Sequence, residues 1–371
     1  MSKVSIVKCK DYDRDKVEAA VFRSVDLLGG VENFIKKGDT VLIKPNLLSA
    51  RLPEEAVCTH PEIVRAAIRL VRKAGARPII GDSPGTFFGA EAVDEVYEKT
   101  GMRKVAEEED VDLVRFDKLR RLNGYPIAER ALQASFILSL PKLKTHAFTV
   151  MTGAVKNTFG LVPGLFKVQC HKNKPNPKHF VKIIVDIYEI TKPGLSIMDG
   201  IVAMEGEGPA AGTPANVGIL LASTDGVSMD AVMSNIVGVP PYKDIIVNEA
   251  KRRGIGEADI SKIEILGEGI DAVRVKKFRL PQTSNVISIL PDFLMNMVIG
   301  LLNFRPVIDE NLCKKCGVCR NSCSAEAITI NESESVIDNK LCIRCFCCYE
   351  VCSYKAIYIK KNLITKLFWR G

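Results

Sequence analysis

The sequence predicts two folded parts: an α/β domain with a mostly parallel sheet over residues 1–280, and a small cysteine-rich α+β domain over residues 305–361. Strand-like and helix-like segments alternate over about 275 residues, which is typical of an α/β layer with mostly parallel strands. After a connector at 281–304 the composition changes, and nine of the 12 Cys lie beyond it. Residues 362–371 are interpreted as a short tail.

Short apolar runs alternate with amphipathic segments through the first part. Runs rich in β-branched residues predict strands at 4–7, 40–44, 77–80, 111–116, 135–140, 195–198, 217–222 and 263–266. Helical periodicity predicts helices at 16–28, 61–74, 90–100 and 180–191. Thr59 is a suitable N-cap for the second helix, and Glu62 lies in its first turn.

Polar motifs follow four of these strands at the points where the strands are expected to end. They are Lys44-Pro45-Asn46, Asp82-Ser83-Pro84-Gly85, the segment 141–146, and Asp199-Gly200. Ligands of open α/β sheets bind beyond the carboxyl ends of the strands. The sequence therefore predicts a pocket at this edge of the sheet.

Two cysteine runs of identical spacing form the strongest motif of the chain. Both read C-x2-C-x2-C-x3-C, and they lie 29 residues apart: Cys313, Cys316, Cys319 and Cys323, then Cys342, Cys345, Cys348 and Cys352. Val-Ile-Asp precedes each run, and Ala-Ile-x-Ile follows each. This spacing wraps two [4Fe-4S] clusters in bacterial-type ferredoxins. The motif therefore predicts a ferredoxin domain that moves electrons singly at low potential.

The resemblance to bacterial-type ferredoxins also implies how the cysteines are shared, since the fourth Cys of each run ligates the other cluster. One cluster would be held by Cys313, Cys316, Cys319 and Cys352, and the other by Cys342, Cys345, Cys348 and Cys323. Zinc is the alternative, but zinc sites usually pair two C-x2-C units. Ser324 and Ser353 replace the usual Pro, which affects the potential rather than ligation. Cys347 is expected to be a small buried residue.

Charge and composition argue against several functions. The formal net charge of +8 becomes about +4 with two clusters of charge about −2, which is too mild for a nucleic-acid-binding protein. Such clusters need a reducing compartment, and residues 1–10 carry no secretory pattern, so a cytoplasmic protein is expected. The apolar stretch 286–302 is too short and too interrupted to span a membrane. A packing helix is expected there, with a peripheral membrane contact involving 366–370 as the alternative.

The order of motifs in the α/β part resembles the domain-of-unknown-function family numbered 362, whose members often carry a C-terminal ferredoxin module. The matching stretches lie between about residues 3 and 270: 44–46, 59–62, 81–85, 140–146, 152–160 and 199–209. The resemblance implies an iron–sulfur protein but does not imply a particular reaction.

The chain is also similar to the nickel-pincer lactate racemase family. His146, Lys156 and His171 lie at nearly the spacing of that family's catalytic base, cofactor anchor and metal ligand. The resemblance implies that His146 transfers protons, that Lys156 holds a ligand, and that His171 binds this ligand or a metal. Racemases have another His near the position of Asp82 and lack a ferredoxin module. The resemblance therefore indicates a shared scaffold and pocket rather than nickel chemistry.

The chemistry of the same residues favours a site on its own account. The chain has only four His, and two of them, His146 and His171, flank a Gly-Lys segment. The alternatives are that His146 ends a strand and that His171 lies in an exposed basic loop. Lys142, Lys144 and Lys156 can bind a carboxylate or phosphate, or form a solvated face. The candidate cofactor-binding residues are Lys44, Asp82, Lys144 and Asn157.

These observations predict an iron–sulfur oxidoreductase or redox subunit. A redox partner such as ferredoxin or a reductase would supply electrons to the clusters, and the pocket would hold a small anionic acceptor, with or without a further cofactor of unknown identity. Two alternatives stay open. One is a non-enzymatic electron carrier or assembly factor that docks a partner protein, and the other is a racemase-like isomerase with structural clusters.

Overall fold

The computed structural model of the protein describes residues 1–85, 89–163, 166–167, 177–281 and 305–360. The expected connector helix, the tail, and the pair Cys170-His171 lie outside the described residues. Among the helices of the described ranges, none is long and apolar enough to cross a membrane.

Ten strands of the first part form one mixed sheet, and two form a separate hairpin. The strands are β1 (Ser2–Lys8), β2 (Thr40–Pro45), β3 (Arg77–Gly81), β4 (Asp112–Val114), β5 (Leu119–Leu122), β6 (Tyr125–Ala128), β7 (Phe136–Leu140), β8 (Lys142–His146), β9 (Val150–Thr152), β10 (Leu195–Glu205), β11 (Thr213–Ser223) and β12 (Ile263–Gly267). The sheet order is β12-β1-β11-β10-β7-β2-β3-β4, with β8 beside β10 and β9 beside β8, while β5 and β6 form the hairpin.

Most neighbours in the large sheet run parallel, as the alternating sequence predicts. The pairs from β10 through β7, β2 and β3 to β4 are all parallel, as are β1 with β12 and β10 with β8. β11 runs antiparallel to both β10 and β1. The prediction of a mostly parallel α/β domain is therefore confirmed.

Helices cover both faces of this sheet and divide the core into layers. The helices are Arg14–Asp26, Pro61–Lys73, Gly89–Lys99, Met102–Glu108, Glu129–Gln133, Ala154–Asn157, Pro177–Thr191, Gly226–Ile236, Ile245–Arg252 and Ile270–Val273. Val41 and Ile43 of β2 pack in one core, whereas Leu42 between them packs in another. This alternation follows from the two-residue period of a strand that is buried on both faces.

Two strands differ from the sequence-based expectation. β10 continues through Asp199-Gly200 to Glu205, with an irregular register between Gly200 and Val202, although a strand end was expected at residue 198. The segment after β7 forms β8, which pairs with β10 and is buried at every position. Long-range pairing thus converts polar segments that resemble loops into buried strands.

The cysteine-rich part repeats one arrangement twice. Each half contains a strand, a cysteine loop, a short helix and a strand: β13 (Arg305–Ile308), Val318–Asn321 and β14 (Ile328–Ile330), then β15 (Ser335–Ile337), Cys347–Val351 and β16 (Ile357–Lys360). β13 pairs antiparallel with β16, and β14 with β15. The two halves also share left-handed backbone positions 29 residues apart: Lys315 and Arg344, Gly317 and Phe346, and Glu326 and Lys355.

Candidate active site

The neighbouring ends of β2 and β3 bring Lys44 against Asp82. Lys44 Nζ lies 2.7 Å from Asp82 Oδ1 and donates to Asn157 Oδ1 at 3.1 Å and to the Pro45 carbonyl at 2.8 Å. The other carboxylate oxygen accepts the backbone N–H of Leu47 at 2.7 Å. Burial lowers the pKa of Lys44, and Asp82 opposes this shift. The pair is a fixed wall of the site, because every group in it is already engaged.

Gly160 packs directly on this ion pair. A Cβ atom at this position would lie 2.2 Å from Asp82 Oδ1 and 2.5 Å from Lys44 Nζ. Gly160→Ala is therefore expected to force the pair apart and to destabilise the protein by about 1–3 kcal/mol. Thermal unfolding monitored by circular dichroism would measure the loss. Gly269→Ala is the control, since no atom lies within 4 Å of a Cβ there. Equal melting temperatures for the two variants would contradict this prediction.

A short helix, Ala154–Asn157, presents Lys156 and Asn157 to the site. Asp230 holds its first turn, accepting the N–H groups of Ala154 at 2.6 Å and Val155 at 3.0 Å. Burial raises the pKa of Asp230 to about 8, and the two backbone donors oppose the shift. Lys156 is half-buried, and burial lowers its pKa. Its ammonium group makes no hydrogen bond or ion pair with any described residue.

His146 ends β8 with one ring nitrogen already committed. Nδ1 accepts the backbone N–H groups of Phe148 at 3.0 Å and Thr149 at 3.3 Å. A nitrogen that accepts carries no proton, so the neutral ring holds its proton on Nε2. Nε2 lies 3.3 Å from Glu350 Oε1 of the cysteine-rich part. Burial raises the pKa of Glu350, and Lys156 and Lys144 oppose the shift. The imidazole and carboxyl groups can therefore hold or exchange a proton.

These side chains surround a cavity of about 90 Å³ between the strand ends and the cysteine-rich part. Five residues predicted from the sequence line it: Lys44, Asp82, His146, Lys156 and Asn157. Residues of the cysteine-rich part line it as well: Ser322, Cys347, Glu350 and Val351. The structure thus brings most of the predicted site together, and adds a second wall from the other part of the chain.

Two lysines that the sequence groups with Lys156 are used elsewhere. Lys144 is buried and donates to the Val57 carbonyl at 2.6 Å, and burial lowers its pKa to about 7. Lys142 lies 2.7 Å from Asp199 Oδ2, and both side chains are fully buried. Neither ammonium group is among the described groups that line the cavity. His171 cannot be placed relative to the cavity, because it lies outside the described residues.

Several lining residues were missed from the sequence: Glu350, Cys347, Ser322, Val351 and Lys167. Comparison of the two cysteine runs contains a signal for two of them. Val318 and Asn321 in the first run correspond to Cys347 and Glu350 in the second, 29 residues later. A buried carboxylate beside metal-ligand candidates is a departure that the duplication itself does not require.

The cysteines are grouped as a thiolate-bound cluster requires. Cys313, Cys316, Cys319 and Cys352 line one small cavity of about 20 Å³. Burial raises the pKa of Cys348, and so do its neighbours, which include Cys345, Cys342 and Cys323. Both predicted ligand sets are therefore close in space. No three His, Cys, Asp or Glu side chains of the described ranges converge on a single-ion site.

Backbone donors support the sulfurs symmetrically. The N–H of Ala327 donates to Cys323 Sγ, and the N–H of Ala356 donates to Cys352 Sγ, both at 3.3 Å. Hydrogen bonds of this kind stabilise thiolates and tune the potential of a bound cluster. The residues present thus fit two four-thiolate groups.

Comparisons with known proteins give a family and a distant likeness of fold. The family model described as Domain of unknown function (DUF362) matches residues 41–235. The thylakoid-associated protein sll1697 of Synechocystis sp. is 37% identical over 245 residues, which cover 64% of this chain and 75% of that protein.

Two solved structures are similar at a lower level. The lactate racemase apoprotein from Thermoanaerobacterium thermosaccharolyticum aligns with a TM-score of 0.39 and 13% identity, over 62% of this chain and 56% of that chain. A crystal structure of a Thermotoga maritima protein aligns with a TM-score of 0.37 and 15% identity, over 59% and 57%. This chain therefore spans less than two thirds of either. The family match over more than half of the sequence, and the 37% identical relative, establish that the chain belongs to the DUF362 family.

Proposed function

We propose that the protein is an iron–sulfur oxidoreductase or redox subunit, which passes low-potential electrons through two [4Fe-4S] clusters to an acceptor in the cavity. The eight cysteines of the two runs would hold the clusters, in the two sets that include Cys352 and Cys323 as exchanged ligands. When bound, such clusters accept and release electrons one at a time. A ferredoxin or reductase would be the electron donor.

The position of the cavity carries this proposal. Cys347, which lines the cavity, lies between the proposed ligands Cys345 and Cys348. Ser322, also in the lining, directly precedes Cys323. The wall that closes the cavity is therefore the segment that would hold the second cluster. An acceptor bound there would meet electrons without leaving the pocket.

Contacts between the two parts keep this wall in place. Arg51 donates to the Cys352 carbonyl at 2.6 Å and to Glu55 at 2.8 Å, and Glu55 also lies 3.5 Å from Lys355. Tyr349 donates to the Glu207 carbonyl at 2.5 Å. In this arrangement His146 and Glu350 hold a proton at the cavity wall, while Lys44, Asp82 and Asn157 fix the opposite side.

A reducing, cytoplasmic location is part of the proposal, because thiolate ligands are kept reduced there. The name of the Synechocystis relative associates that protein with thylakoids. A peripheral contact with a membrane is compatible with an electron carrier of this kind.

Anaerobically purified protein tests the proposal in two steps. Iron and acid-labile sulfide of about eight each per chain are expected. The protein is then reduced with dithionite, desalted, and mixed with a cell lysate that has been separated into a low-molecular-mass filtrate and a protein fraction. Reoxidation by the filtrate, slowed in His146→Ala with an unchanged cluster spectrum, would support an enzyme with a small-molecule acceptor.

The alternative of a non-enzymatic carrier predicts a different outcome. The protein fraction alone would then reoxidise the clusters, and His146→Ala would behave as the wild type. Iron and sulfide below about two per chain after anaerobic purification and reconstitution would overturn the iron–sulfur proposal itself.

A further inference from the structure

The charges that line the cavity do not balance. Lys44 is paired with Asp82, and His146 with Glu350. Lys156 and Lys167 also line the cavity, and no further carboxylate of the described residues does. Lys167 donates to the Ser83 carbonyl, a neutral group. The cavity wall thus carries positive charge in excess wherever these two ammonium groups are protonated.

Buried polar atoms on the same wall lack hydrogen-bond partners within the described residues. Asn46 Oδ1 and Ser83 Oγ are such atoms, and both residues line the cavity. The orientation of Asn46 is fixed, because its Nδ2 donates at 3.1 Å to Asn157 Oδ1, which also accepts from Lys44. Asn46 Oδ1 is therefore an acceptor that awaits a donor. An unsatisfied buried polar atom costs free energy, so its retention in a pocket points to a ligand.

The volume limits the size of that ligand. A cavity of about 90 Å³ accommodates about six to nine water-sized groups at roughly 10–15 Å³ each. Nucleotides, flavins and peptides exceed this limit, whereas carboxylates of two to four carbons fall within it.

We propose that the cavity binds a small carboxylate whose charge is held by Lys156 and Lys167 and whose hydroxyl group donates to Asn46 Oδ1. This inference rests on the proposed function in one respect, since it names the substrate class of the same pocket. Ser83 Oγ supplies a further hydrogen bond to the ligand. The burial that lowers the pKa of Lys156 is reversed when an anion enters, so binding takes up protons at alkaline pH.

Calorimetric titration of the anaerobic holoprotein in a chloride-free buffer tests the inference. The probes form two pairs that differ by one hydroxyl group: acetate and glycolate, and succinate and malate. At least one hydroxylated member is expected to bind, about three- to tenfold more tightly than its partner, because it alone satisfies Asn46 Oδ1. Lys156→Met is expected to weaken this binding at least tenfold, since a charge-assisted hydrogen bond is lost.

The matched control is Lys182→Met, which makes the same change at an exposed position of the helix Pro177–Thr191. It should leave binding unchanged. Lys156→Met should also melt at a higher temperature than the wild type when no ligand is present, because it removes an unpaired, half-buried charge. This second readout confirms that the variant is folded.

Two results would overturn the inference. One is the absence of binding of all four anions to protein whose iron and sulfide content is complete, which would leave the electron-transfer proposal standing. The other is equal affinity of wild type and Lys156→Met for the anion that does bind. Loss of the clusters with anion binding intact would instead remove the electron-transfer proposal alone.

Discussion

Asp199→Ala is expected to destabilise the protein by about 3–5 kcal/mol, because it leaves a buried lysine without its counter-charge. Asp199 Oδ2 lies 2.7 Å from Lys142 Nζ and accepts the N–H of His60 at 3.0 Å, while Oδ1 accepts the Tyr12 hydroxyl at 2.8 Å. Both members of the Lys142–Asp199 pair have no exposed side-chain surface. Water therefore cannot replace the carboxylate. Thermal or urea unfolding of the anaerobic protein would measure the loss.

An exposed aspartate provides the matched control. Asp271 also pairs with a cation, Arg274 at 2.9 Å, but its side chain is 91% exposed. Asp271→Ala should change the stability by less than about 1 kcal/mol, since exposed pairs contribute little. The double variant Lys142→Met with Asp199→Leu should recover much of the lost stability, because no charge is then buried. If Asp199→Ala melts like Asp271→Ala, Lys142 is not held as a buried cation.

Cys352→Ser is expected to remove the first cluster, although Cys352 belongs to the second cysteine run. Cys352 lines the same small cavity as Cys313, Cys316 and Cys319. Iron should fall from about eight to about four per chain, with the second cluster retained through Cys323. Metal analysis and electron paramagnetic resonance of the reduced protein would measure this change.

Double variants test the exchange of ligands between the runs. Adding Cys316→Ser to Cys352→Ser should cost no further iron, because both belong to one cluster. Adding Cys345→Ser should remove the remaining iron. Cys347→Ser is the control, since that thiol is not a predicted ligand, and it should keep the full content. The reverse pattern, with Cys316→Ser and not Cys345→Ser removing the rest, would assign Cys352 to the cluster of its own run.

The general architecture could be predicted because it depends on local patterns. The alternation of short apolar runs with amphipathic segments gave the parallel sheet, and most strands agree within a few residues. The errors at β8 and β10 share one cause. Lys142 and Asp199 are polar residues that a sequence pattern places in loops, yet they face each other across these two strands. Mutual neutralisation allowed both to be buried.

The candidate site could be predicted in part for a similar reason. Strand ends meet at one edge of a parallel sheet, so Lys44 and Asp82 were placed together before the structure was known. Glu350 could not be predicted in the same way, because it lies more than 200 residues from His146 in sequence. The docking of one part of the chain on the other brings it to the cavity.

The sequence by itself determined the repeated cysteine spacing, the α/β class and the strand-end motifs. Each of these is local, since a loop of fixed length or a periodic segment carries its own geometry. The tertiary structure alone decided the state of the three lysines. Lys142 meets a carboxylate, Lys144 a backbone carbonyl, and Lys156 neither. Identical side chains differ here because the free energy of a buried charge depends on what lies around it in space, and chain order does not specify that.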